Sequence, residues 1–105
     1  MEREIPRLKA EFFKTLGHPL RIRVLELLSE GEHSVGALLE QVDAEQPNLS
    51  QQLAVLRRAG FVTARREGAG VVYALADPRV AELLAVARQM LIDMATATRD
   101  ELQRA

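Results

Sequence analysis

Asn48, Ser50, Gln51 and Gln52 are four side chains that hydrogen-bond without charge, and they stand within five residues of one another, just after Gln46 and Pro47. Arg57 and Arg58 follow, then Arg65 and Arg66, with only Glu67 opposing them. A primary amide carries a donor and an acceptor on one planar group, which is what a base edge such as that of adenine pairs with in the major groove. Guanidinium groups pair with phosphate oxygens. A carboxylate among them would be repelled by phosphates, and residues 46–58 contain none. Gln46, Pro47, Asn48, Ser50, Gln51, Gln52, Arg57, Arg58, Arg65 and Arg66 are therefore candidate contacts to double-stranded DNA. For the amides alone, a solvated helix face is an equally good reading. For Arg65 and Arg66, the alternatives are an exposed strand face or pairing with glutamates of another helix.

The elements needed to carry these side chains can be read from hydrophobic spacing. Leu49, Leu53 and Leu56 recur at steps of four and three and define the inner side of a helix running to Ala59, where Gly60 stops it. At about 100° per residue, Pro47, Asn48, Gln51, Ala54 and Arg58 fall on or near the opposite side, and Ser50 and Gln52 on the flanks. The start is ambiguous: Asp43 with Gln46 resembles a capping box, but Pro47 sits better if the helix begins at Gln46 or Pro47. A short helix from Ser34 to Val42 precedes it, and the two make a helix-turn-helix candidate over 34–59. Upstream, Ile5, Leu8, Phe12, Phe13 and Leu16 mark one amphipathic helix. Leu20, Val24, Leu25, Leu27 and Leu28 mark another, with Gly17 and Pro19 between them.

Downstream the period changes. FVTARRE and VVYAL read as strands joined by Gly68-Ala69-Gly70, a hairpin wing over 61–76. A last helix begins at Asp77-Pro78, with Val80, Leu83, Ala87, Met90 and Met94 in a seam that Leu84 and Leu91 widen. So much apolar surface on one helix needs a partner. The expectation is a mostly α fold with a β-hairpin wing, a winged helix-turn-helix of order α-α-α-α-β-β-α.

Composition bounds the rest. The 105 residues suffice for one domain, 1–105, and 48% hydrophobic content favours a folded chain. The net charge of −1 gives no global sign of nucleic-acid binding, so that inference rests on where the arginines sit. The absence of cysteine excludes disulfides, thiolate metal sites and a thiol redox switch. With no leader-like start and no long apolar run, a cytoplasmic protein with no membrane partner is expected. No nucleophile–base pairing or phosphate-cradling loop is recognisable, so the chain reads as a non-enzyme.

Taken together, LKAEFFKTLGHPLRIRVLELL, QPNLSQQLAVLRRAGFV, RREGAGVVYAL and DPRVAELLAV resemble, in this order and spacing, the ArsR/SmtB family of winged-helix bacterial repressors. The resemblance implies a homodimer built from the first and last helices, 1–17 and 78–98. Leu8, Phe12, Val80, Leu83, Leu84, Ala87, Met90, Leu91 and Met94 would then lie at the interface. It further implies binding to a palindromic promoter operator and release by an effector. A winged-helix module that binds an acidic protein surface instead of DNA is the alternative.

The departures from the family concern mainly sensing. HSVGALLEQV stands where metal-sensing members often carry cysteines, and the last helix has no histidine. No cofactor follows from the sequence. A metal effector without cysteine ligands would have to draw on His18 or on His33 beside Glu30 and Glu32, although a histidine flanked by proline suits a backbone-bonding turn. The wing tip lacks the basic residue many members have. Gln52 replaces a frequent histidine, and Glu45 stands where a capping Ser or Thr is common.

Overall fold

In the computed structural model, which describes residues 1–104, five helices and three short strands follow one another along the chain. Helix α1 (Ile5–Leu16) has a proline in its first turn and ends at Gly17. Helix α2 (Pro19–Ser29) is capped by His18, whose Nδ1 accepts the Leu20 N–H at 3.2 Å. Pro19 fills the first helical position, where a missing N–H costs nothing. Strand β1 (His33–Ser34) runs directly into α3 (Val35–Leu39). The Ser34 hydroxyl caps α3 by accepting the Ala37 N–H at 3.1 Å.

Helix α4 (Gln46–Arg58) starts at the later of the two positions its sequence allows, with Pro47 in the first turn. Glu45 precedes it in extended backbone and gives no side-chain cap. Gly60, at φ 85°, turns the chain out of α4 in a conformation that a side chain would strain. Strands β2 (Val62–Glu67) and β3 (Gly70–Leu75) then pair antiparallel from Val62↔Leu75 to Glu67↔Gly70. Helix α5 (Arg79–Arg104) completes the chain.

The inner side of α4, Leu49, Leu53 and Leu56, is fully buried. It meets Val24, Leu25, Leu27 and Leu28 of α2, Leu38 of α3, and Phe61 and Val62 at the root of the wing. Each such side chain adds roughly 1.5–3 kcal/mol when removed from water. This core is the platform on which α4 presents its outer side.

Three features depart from the sequence reading. The wing is a three-stranded sheet of order β1-β3-β2, because His33 and Ser34 pair with Tyr73 and Val72. Two residues cannot express an alternation, so β1 left no periodic signal. Helix α3 is five residues long rather than spanning 34–42. Val80, expected at a subunit interface, is only 7% exposed and packs in the chain's own core, because the first turn of α5 lies over the domain.

The second turn, with Leu83 and Leu84, still packs against the core, and from residue 85 onward α5 is exposed along its length. The radius of gyration is 16.6 Å and the longest extent 59 Å, against about 13 Å expected for a compact chain of this length. Met90, Leu91 and Met94 on this overhang are 58%, 65% and 62% exposed. No helix among the described residues is long and apolar enough to cross a membrane.

Candidate nucleic-acid interface

Side chains reach solvent from α4 in a pattern set by the burial of Leu49, Leu53 and Leu56. Gln46, Pro47, Asn48, Ser50, Gln51, Ala54, Arg57 and Arg58 are all exposed. The face so formed is neutral and hydrogen-bonding over its first two turns. It is cationic in its last, where Arg57 and Arg58 also lie favourably against the helix dipole. Among the described residues neither makes an ion pair, and the same holds for Arg66 on β2.

Two of the expected contact residues are engaged elsewhere. Gln52 is 7% exposed and points inward. Its Oε1 accepts the Arg21 Nε–H at 2.8 Å, and its Nε2 donates to Asn48 Oδ1 at 3.2 Å. Arg21 also donates from Nη1 to the Thr15 carbonyl at 3.2 Å. Gln52 lies on a flank of the wheel, and burial there is possible because its polar atoms are all partnered; no buried side-chain polar atom among the described residues lacks a partner. An i, i+4 Asn–Gln pair was visible in the sequence, but Arg21, 31 positions away, was not.

Arg65 is the second. It forms a forked pair with Glu32, Nη1 to Oε2 and Nη2 to Oε1, and Nη2 also donates to Glu67 Oε2 at 2.6 Å. The hydrogen bonds from Arg65 hold the Glu32 carboxyl below its ordinary range, and Glu32, then Glu67, hold the guanidinium firmly charged. Arg65 ties the wing to the turn before β1 and is not a free cation for phosphate. The pairing read as an alternative from sequence is the one formed, although Glu32 belongs to a turn rather than a helix.

Within one copy, and among the described residues, neither histidine is grouped with further metal-ligating side chains. His18 Nδ1 caps α2, and His33 Nδ1 lies 2.9 Å from the Gly31 carbonyl. Glu32, the acid beside His33, is committed to Arg65. No group of three or more His, Cys, Asp or Glu among the described residues is placed to hold an ion.

Apart from Val80, which is buried in the chain's own core, the expected interface residues divide into two sets. Leu83 and Leu84 are half-buried against the chain's own core, while Leu8, Phe12, Ala87, Met90, Leu91 and Met94 are exposed. Phe12 leans on Phe61, ring centroids 4.8 Å apart, so α1 is held to the domain while its outer side stays open.

A helix pair on a leucine core, an open polar second helix and a three-stranded wing together define a winged helix-turn-helix protein. Comparison with known proteins agrees. A helix-turn-helix domain model matches residues 16–65. Over 86 residues the chain is 64% identical to the uncharacterised HTH-type transcriptional regulator Rv0081 of Mycobacterium tuberculosis, covering 81% of this chain and 75% of that protein. The crystal structure of Rv0081 superposes with a TM-score of 0.83 at 58% identity, over 90% of this chain and 95% of that one. A biofilm growth-associated repressor of Agrobacterium fabrum is 48% identical over 71% of this chain and 64% of its own length. A homodimeric winged helix-turn-helix DNA-binding domain from Mycobacterium bovis, a possible ArsR-family regulator, gives a TM-score of 0.79 at 29% identity, over 90% and 87% of the two chains. The chain belongs to the ArsR/SmtB family of winged helix-turn-helix transcriptional regulators.

Proposed function

We propose that this chain is a sequence-specific repressor that acts as a homodimer, lays one α4 into each of two successive major grooves of a palindromic operator, and leaves the DNA under control of an effector. The observation that carries the reading is the outer face of α4, free of carboxylates, with amides at its start and, at its end, arginines that make no ion pair among the described residues. Gln51 faces base edges, with Asn48 and Ser50 beside it. Arg57, Arg58 and Arg66 neutralise phosphates, and Gln46 and Pro47 lie where α4 meets the backbone. The exposed residues of α1 and α5 form the dimer contact. That a relative of 48% identity is a repressor supports repression.

The test is a mobility-shift titration with operator and unrelated duplexes. Gln51→Ala weakens operator binding by about 5- to 150-fold, the worth of a base-edge amide at about 1–3 kcal/mol, with little change on unrelated DNA. Equal loss on both duplexes rules out base reading by Gln51. Operator affinity that stays millimolar at low salt assigns the surface to an acidic protein partner instead.

A further inference from the structure

Buried Gln52 connects a half-buried arginine of α2 to an asparagine on the outer face of α4, and the chemistry of the three groups allows only one polarity. A guanidinium has donors and no acceptor. Arg21 therefore requires the oxygen of the Gln52 amide, and the 2.8 Å bond runs from its Nε to Oε1. The nitrogen of that amide must then face the other way. It has only hydrogens to offer, so Asn48 has to meet it with oxygen, as it does at 3.2 Å. Arg21 is itself held by the Thr15 carbonyl, so the chain of bonds is anchored at the end of α1. At its far end Asn48 is exposed, with Oδ1 engaged and an NH2 group that meets no acceptor among the described residues.

We infer that the Arg21–Gln52 relay fixes the Asn48 amide with its NH2 toward the groove, so that Asn48 accepts a base edge with an acceptor, guanine, thymine or adenine, and rejects cytosine at one position of each half-site. Guanine presents N7 and O6 there, thymine O4 and adenine N7, all acceptors, whereas cytosine presents only the hydrogens of N4; an amide oxygen in the same place would instead meet the hydrogens of adenine N6 or cytosine N4. Without the relay an asparagine rotates to suit either kind of edge. Arg21 and Gln52 are positioning residues, and the inference rests on the DNA-reading role proposed above.

The relay predicts a reversal that loss of structure cannot imitate. In Gln52→Glu both oxygens accept. One keeps Arg21, in a paired and hence tolerable buried charge. The other can only take a hydrogen from Asn48, whose amide turns and shows its oxygen to the groove.

The experiment is selection of bound sequences from a randomised 30-base-pair duplex pool (about 30, long enough for two half-sites), using the full chain and its Asn48→Ala, Gln52→Glu and Arg21→Gln variants in parallel. Melting temperature and binding to unselected duplex are measured for each. Wild type depletes cytosine about tenfold at one symmetric pair of positions. Asn48→Ala flattens that pair and no other. Gln52→Glu admits cytosine there and depletes guanine and thymine instead, and Arg21→Gln, whose neutral amide accepts either polarity, admits all four bases. A wild-type site indifferent to Asn48→Ala at every position, or unchanged in Gln52→Glu, overturns the relay and leaves the DNA reading standing. No enriched site for wild type overturns both.

Discussion

Arg65 and Arg66 are adjacent on β2, and their surroundings assign them different work. Arg65 is clamped between Glu32 and Glu67, while Arg66 makes no ion pair among the described residues. Each free cation placed on a phosphate contributes about 0.9 to the slope of log affinity against log salt. Arg66→Ala is expected to lower that slope by about one per contacted phosphate for operator and unrelated DNA alike. Arg65→Ala leaves the slope unchanged and lowers the melting temperature slightly, because it cuts the wing loose from the turn before β1. Binding isotherms across a salt series separate the two, and a slope change from Arg65→Ala contradicts the assignment. Sequence reading grouped all four arginines because it sees proximity along the chain; Glu32, 33 positions from Arg65, is brought up only by the folding of the sheet.

At the scale of elements, α2, α4 and the hairpin were legible because each has a strong signal: leucines at helical steps, β-branched runs, glycine at the turn. What failed was short or lacked an apolar signal. Strand β1 has two residues, and the end of α5 continues through RDELQR, six residues past the expected limit of 98, without an apolar seam to announce it. Its start at Asp77-Pro78 was readable, and the structure gives the reason. The Asp77 carboxylate accepts from the Arg79 side chain and from the Arg79 backbone N–H at 2.9 Å, and these bonds hold its pKa down to about 2. An unfolded aspartate titrates near 3.9, at roughly the upper edge of the affected window. The stabilisation from Asp77 is thus complete above about pH 4 and is lost as pH falls through about 2. In Asp77→Asn, the decline in melting temperature between about pH 4 and about pH 2 becomes shallower than in wild type. An unchanged slope shows that other carboxylates dominate acid unfolding.

At the scale of the whole molecule, the exposed part of α5 is the feature one copy cannot account for. Met90, Leu91 and Met94 stand in water on a helix that projects from the domain, and Leu8 and Phe12 of α1 are open beside their own core. In the proposed dimer a second copy would remove these faces from water. The seam was readable from its steps of three and four, but Val80, in the same register, was not separable from it, since spacing does not tell where a helix leaves its domain. Leu91→Glu with Met94→Glu is expected to give a monomer by sedimentation, with the domain's own helical signal retained and operator affinity reduced at least tenfold. A dimer that survives both charges places the interface elsewhere.

In the proposed dimer, two α4 helices related by a two-fold axis would sit about 34 Å apart, one turn of duplex. Selection of bound sequences by the unmodified chain from random duplex tests that arrangement most directly. The account predicts an inverted repeat with half-site centres separated by about 10–10.5 base pairs or a multiple of it. Sequences enriched without a dyad, or a pool recovered no different from the input, would contradict it.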